Sequence, residues 1–332
     1  MAICLQHTSI LSSSRLSTSV VAEGADLAVP KNPHSFSPIS KKNTRSLQIS
    51  VNSTSGVPRS TFGRDVKSMA ATIRGRNSGL IDETTELKLP SIRESLIRQE
   101  DSIIYNLLER AQYKINPPTY DANRFTIPGF EGSLVEYLLQ ETEKLHAKVR
   151  RYNSPDEHPF FPDGLPGSLL PEMQYPKVLH KAADQININP LVWKMYFDDL
   201  LPGLAAPGDD GNYGSTATSD VLCLQSLSKR IHFGKFVAEA KYRESPNVFN
   251  PHIRAQDEEA LYQLITFESV ELNVQRRVEN KAATYGQEVV IEGARPQTLK
   301  IDPKLVGKLY WEWVMPLTKK VQVEYLLHRL DN

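Results

Sequence analysis

Cysteine is almost absent from this 332-residue chain: Cys4 and Cys223 are the only two, too few for a disulfide framework, so a reducing compartment is expected. No run of 18 or more apolar residues occurs, and no membrane partner is expected. Walker-type glycine loops and nucleophile elbows are missing. None of the eight histidines is spaced as HxxxH, and Asp198–Asp199 lacks a second acidic pair. No metal and no cofactor are therefore expected. Strand signals are scarce, with EVVIEG at 288–293 the one short candidate. A basic surplus is missing as well. Of 39 Lys/Arg and 39 Asp/Glu, nine and three fall in residues 1–75, which leaves 30 basic against 36 acidic residues in the remainder. A mildly acidic body argues against nucleic acid as a partner.

What the chain does have divides at about residue 70. The start, MAICLQHTSILSSSRLSTSVV, is rich in Ser and Thr, carries scattered basic residues and has few acids. This is the composition of an organelle transit peptide, and hydroxyls and Arg15 interrupt any apolar core that a secretory signal would need. Residues 1–70 are read as a disordered transit peptide and linker, and 71–86 as linker.

From 87 to 332 the pattern is helical almost throughout, predicting a single all-α helical-bundle domain. Pro90 opens the first helix, with Ser91 and Glu94 at capping-box spacing. Ile92, Leu96, Ile103, Leu107 and Leu108 recur at helical period. Ser215 or Thr216 is placed to cap a long helix containing RIHFGKFVAEAK, residues 230–241. Residues 257–286 read as another long helix, and a last one is interrupted by Pro316.

The 230–241 stretch poses a question of charge. Eleven residues on one helix return to nearly the same face, so Arg230 and Lys241 would flank Gly234, Val237 and Ala238. Either the small residues floor a pocket between two cations, or both cations snorkel to solvent while Gly234 admits a neighbouring helix. Arg93, Glu271 and the i, i+4 pair Thr318 and Gln322 add a cation, a carboxylate, a hydroxyl and an amide. Together this set suits a small dianion.

LQSLSKRIHFGKFVAEAKY, SPDEHPFFPD, GNYGSTATSD and LTKKVQVEYLLHRL closely resemble the all-helical chorismate mutases of fungi and plants, over about 87–331. The resemblance implies a homodimeric enzyme that rearranges chorismate to prephenate and is controlled by the aromatic amino acids Trp, Tyr and Phe. Together with the leader it implies a plastid stromal location. It also assigns roles. Arg93 and Arg230 would hold the two substrate carboxylates, and Lys241 and Gln322 would donate to the ether oxygen. Glu271 would accept from the ring hydroxyl, and Thr318 would orient a carboxylate. Phe267 would contribute its backbone where the fungal pattern has asparagine, and Gln322 replaces a fungal glutamate. Arg150, Arg151, Asn212, Gly214, Ser215 and Thr218 match the effector site. The alternative is a non-catalytic helical regulator that keeps the effector site, but it would have little reason to retain the catalytic set.

Overall fold

The structure is a computed structural model that describes residues 87–171, 178–287 and 299–331. The leader and EVVIEG lie outside these residues. Every regular element among them is a helix, and the only pairings of strand type are two isolated bridges. The all-α expectation holds.

Helix α1 (Leu89–Arg110) starts with proline in its first turn, as the sequence predicts, but its N-cap is Lys88. Ser91 already lies inside the helix, so the predicted capping box does not form. A capping box does form at the start of α2 (Leu134–Lys148), where Ser133 and Glu136 satisfy each other's backbone N–H. Ile103, Ile104, Leu107 and Leu108 bury one stripe of α1, which packs along α5 (Tyr213–His232). Fully burying side chains of this size contributes about 1.5–3 kcal/mol each. The contact is pinned by the buried ion pair of Arg110 Nε and Asp220 Oδ1 at 2.6 Å, with the Tyr120 and Tyr196 hydroxyls donating to the same carboxylate. Between α2 and α5 the chain forms α3 (Asn189–Lys194), a π turn at Met195–Leu200 and α4 (Leu201–Leu204).

Helix α5 is not capped by Ser215 or Thr216. It starts at Tyr213 with Asn212 as N-cap, and the buried Thr216 hydroxyl instead accepts from Asn116 Nδ2 at 2.8 Å. Nor does one helix run through 230–241: α5 ends at His232, and α6 (Gly234–Glu244) begins after a turn at Phe233. After α7 (Pro246–Ala255), the predicted long helix over 257–286 is also broken. It consists of α8 (Glu258–Ile265) and α9 (Glu268–Tyr285), with Thr266 and Phe267 extended between them.

The closing segment is α10 (Pro303–Leu309), a π turn at Tyr310–Val314 and α11 (Met315–Leu327). Pro316 therefore does not interrupt the path. A proline cannot donate to the carbonyl four residues back, and its ring crowds that carbonyl; the wider π turn before Pro316 absorbs both effects. Pro202 follows the other π turn in the same way.

Helix α11 packs on α6 and α8. The buried Glu239 carboxylate on α6 accepts from Tyr325 on α11, from Arg329 just beyond it and from Arg243. Gly234 permits the close approach. A Cβ there would stand 2.8 Å from the Thr318 carbonyl oxygen and 3.0 Å from its Cγ2. Of the two readings of this glycine, admission of a neighbouring helix is correct. Because the clash is with backbone, Gly234→Ala should cost about 1–3 kcal/mol in overpacking, more than the roughly 1 kcal/mol that alanine gains in helix propensity. Thermal unfolding should show a lower Tm, and an unchanged or higher value would contradict the contact.

Candidate active site

A cavity of about 700 Å³ opens where α1, α5, α6, α9 and α11 meet, and its lining includes Arg93, Arg230, Lys241, Glu271, Thr318 and Gln322. Phe267 lines it too. The sequence separates these residues by as many as 229 positions, and the fold brings all of them to one wall system. Ile92, Leu96, Val237, Val270 and Met315 supply apolar lining.

Arg230 sits two residues before the end of α5 and is only 5% exposed, so it does not snorkel. Its Nη1 donates to Thr318 Oγ1 at 3.4 Å, and its guanidinium lies 6.0 Å from the Tyr310 ring centre. Its Nε is buried without a hydrogen-bond partner. Burial lowers its affinity for a proton, but an arginine stays charged throughout the ordinary pH range. The Thr318 hydroxyl donates to Val314 O at 2.6 Å, which leaves its oxygen to accept from Arg230.

Lys241 reaches the cavity from α6. It and Arg230 stand on separate helices, yet both cations line the same space. Its Nζ donates to Ile265 O at 2.8 Å and lies 5.0 Å from the Phe267 ring centre. That carbonyl is free to accept because α8 ends at Ile265. Burial, reinforced by Arg93 and Lys319 and opposed by Glu271 and Glu244, pushes Lys241 down to about 8.

The same helix break places Glu271 in the first turn of α9, where the helix dipole favours a carboxylate. Its oxygens lie 3.0 and 3.2 Å from Lys319 Nζ. Thr318 and Gln322 stand one turn apart on α11, both buried. Gln322 Nε2 donates to Thr318 O at 3.3 Å, and its Oε1 is buried without a hydrogen-bond partner. Arg93 is exposed at the start of α1.

Sequence reasoning missed four charged members of the lining, Glu100, Glu244, Arg277 and Lys319. Lys319 was hidden as the middle residue of TKK, beside Thr318. Glu100 and Arg277 form a bidentate pair, with Arg277 Nε and Nη2 at 2.9 and 2.6 Å from the carboxylate oxygens. Neither helix pattern singled them out, because the pairing joins α1 to α9 across 177 residues.

The six residues matched to an effector site are not brought together within one chain. Arg150 adopts a left-handed conformation, and its Nη1 donates to Pro171 O. Arg151 binds Glu157 at 2.9 Å and Gln225 at 3.0 Å. Gln225 lies seven to eleven residues beyond Thr218 and Gly214 on α5, or about 10–16 Å at the helical rise. Asn212, Gly214, Ser215 and Thr218 are exposed at the start of that helix. The Thr218 hydroxyl donates to Gly214 O.

Comparison with known proteins bears on what this cavity does. Residues 212–323 match the family chorismate mutase type II. The protein named chorismate mutase 1, chloroplastic, from Petunia hybrida is 58% identical over 284 residues, covering 85% of this chain and 87% of that one. Crystal structures of AtCM1 with phenylalanine and with tyrosine bound in an allosteric site each match at 62% identity and TM-score 0.69, covering 75% of this chain and 99% of that chain. A structure of the Aro7p chorismate mutase from Candida albicans, in complex with L-Trp, matches at 42% identity and TM-score 0.70, covering 74% of this chain and 92% of that one. With the family's pattern spanning α5 to α11, and a 58% identical relative matched over most of both lengths, this chain belongs to the chorismate mutase family.

Proposed function

We propose that the cavity is the chorismate site and that its six polar residues divide the work of the rearrangement. The chain is a chorismate mutase, an isomerase that converts chorismate to prephenate. In this reaction one C–O bond breaks as a C–C bond forms within a single molecule. The protein needs no nucleophile; it must fold the substrate into its reactive conformer and stabilise charge growing on the ether oxygen. Arg93 and Arg230 hold the two carboxylates, with Thr318 orienting one of them. Lys241 and Gln322 donate to the ether oxygen, and Glu271 accepts from the ring hydroxyl. Phe267 contributes backbone at the cavity edge.

One observation carries this reading: Arg230 lines the cavity, is only 5% exposed, has no carboxylate in contact with it and has an Nε that is buried without a partner. A substrate carboxylate supplies both the charge and the acceptor. Chorismate consumption by the purified chain, followed by absorbance, should be lost in Arg230→Ala by at least about a hundredfold in kcat/KM. A variant that folds and retains full activity would remove Arg230 from the site.

The pH dependence follows from the donor pair. Lys241 must be charged to donate with full effect, so kcat/KM should fall as pH rises through about 8. In the complex, two substrate carboxylates favour the ammonium, so the corresponding limb of kcat should lie at higher pH. The Gln322 amide donates at any pH, whereas a carboxyl donates only while protonated. Gln322→Glu should therefore stay active in acid and lose rate at lower pH than the wild type does. Losing one such donor typically costs about 10²- to 10³-fold. Parallel profiles from pH 5 to 9 would show that Gln322 does not touch the reacting oxygen.

Residues 87–332 act as the catalytic and regulatory domain of a homodimer, and 1–86 comprise the plastid transit peptide and linker. Leu145 and Val149, at and just past the end of α2, and Leu222 on the neighbouring α5 are exposed apolar residues on adjoining elements, a surface suited to a second copy. Pairing across it also explains why Arg150 and Arg151 need not meet Gly214 and Ser215 of their own chain. Tryptophan, tyrosine and phenylalanine are the effectors, with the free N–H groups at the start of α5 receiving a carboxylate. Arg151→Ala should weaken the response to these amino acids while the unregulated rate changes little. An effector titration identical to that of the wild type would exclude Arg151.

A further inference from the structure

Lys319 stands apart from the residues that the chemistry above employs. It is 7% exposed, one residue after Thr318 on α11, and its side chain runs into the cavity wall. The ammonium bridges both oxygens of Glu271, at 3.0 and 3.2 Å, and lies 4.6 Å from the ring centre of Tyr262 on α8. Three elements therefore meet at one nitrogen: α8, α9 and α11. The ion pair is held from both sides, by the first turn of α9 and by the aromatic face of α8.

Its presence answers an electrostatic difficulty. The ligand proposed for this cavity is a dianion, and a carboxylate in the wall repels it. One ammonium held against both carboxylate oxygens offsets that repulsion. Each oxygen retains lone pairs for a ligand hydroxyl. A cation fixed by an aromatic face and a helix of its own keeps the carboxylate in one orientation, whereas Lys241, which also faces Glu271, is already committed to Ile265 O.

We propose that Lys319 is a positioning residue for substrate binding, neutralising and orienting Glu271 so that this carboxylate can receive the ring hydroxyl of an anionic substrate. The inference rests on the assignment of the cavity to chorismate. It adds a residue whose action passes through another residue.

Lys319 has a second, measurable effect on the site. The charged groups facing Lys241 are Arg93 from α1, Glu271 from α9, Lys319 from α11 and Glu244 on its own helix; the two cations push its titration down and the two carboxylates push it up. Removing Lys319 takes away one cation and exposes Lys241 to a Glu271 that is no longer paired. The alkaline limb of kcat/KM should then move above its starting point of about 8.

The test is a double-mutant cycle on the full chain, comparing the wild type, Lys319→Met, Glu271→Gln and the pair, with chorismate turnover measured from pH 6 to 10. Lys319→Met should lose about 10- to 100-fold in kcat/KM. The loss should fall mainly on KM, because the hydroxyl contact is made in both ground and transition states. Lys319→Arg should restore most of it. On the Glu271→Gln background, where a neutral amide needs no counter-ion, the same substitution should cost less than about threefold, since residues in contact are coupled. The alkaline limb should rise in Lys319→Met and return toward the wild-type position in the double variant. Should Lys319→Met not fold, Lys319→Gln enters the cycle in its place. Equal losses on both backgrounds, with an unmoved alkaline limb, would overturn the inference alone. Absence of chorismate turnover in the wild-type chain would overturn the assignment of the cavity and this inference with it.

Discussion

The constraint on which the rest of the site depends is the burial of the Arg230 guanidinium without a carboxylate in contact. Leaving a buried donor unsatisfied costs about 1–3 kcal/mol, and more when the group is charged. The other deeply buried cations are treated differently. Arg110 has Asp220, and Lys235 has the Ala183 and Ile186 carbonyls at 2.6 and 2.8 Å. Arg230 has one long bond to a hydroxyl whose own proton is already committed to Val314 O. The fold tolerates that deficit because the surrounding scaffold is heavily cross-linked. Glu239 ties α6 to the end of α11, and Glu100 ties α1 to α9. A rigid frame of satisfied charges can hold an unsatisfied one in place, and a group held in place before the ligand arrives need not reorganise during reaction.

The other functional side chains are placed largely by interruptions of helices. The turn at Phe233 separates α5 from α6. The extended pair at Thr266 and Phe267 both frees the Ile265 carbonyl for Lys241 and starts a new helix with Glu271 in its first turn. The π turn before Pro316 lets the last helix continue past a proline, so Thr318, Lys319 and Gln322 arrive in register. An unbroken helix presents residues along a line at 1.5 Å per step. A compact ligand must be contacted from several sides, and breaks allow five helices to do so.

The chemistry proposed for the cavity accounts for its composition. Since no bond to the protein forms, the site contains fixed charges and amides against an apolar lining. The Gln322 amide and the Lys241 ammonium differ in the one respect that matters for pH: only the ammonium can lose its ability to donate as a cation within the working range. The burial that strengthens the interaction of Lys241 with an anion also brings its titration close to neutrality. Arg151 and its partners Glu157 and Gln225 are not among the residues that line the cavity, so the effector surface proposed for them is separate from it.

Much of this was legible in the sequence, for identifiable reasons. Helical periodicity in α1 and α5 reports which face is buried, and this local pattern determined the all-α class. The types and order of Arg93, Arg230, Lys241, Glu271, Thr318 and Gln322 were visible as a set suited to a dianion, and the long motifs around them matched a family. The tertiary structure alone decided where the helices break: Gly234 beside Phe233 was equally compatible with a continuous helix, and Thr266 and Phe267 have no Gly or Pro next to them. It also decided the role of Gly234, which depends on the Thr318 carbonyl 84 residues away. Likewise, only folding pairs Lys319 with Glu271 and Glu100 with Arg277. Such pairs depend on distance through space between residues far apart in the chain, and no local pattern of residue types encodes that distance.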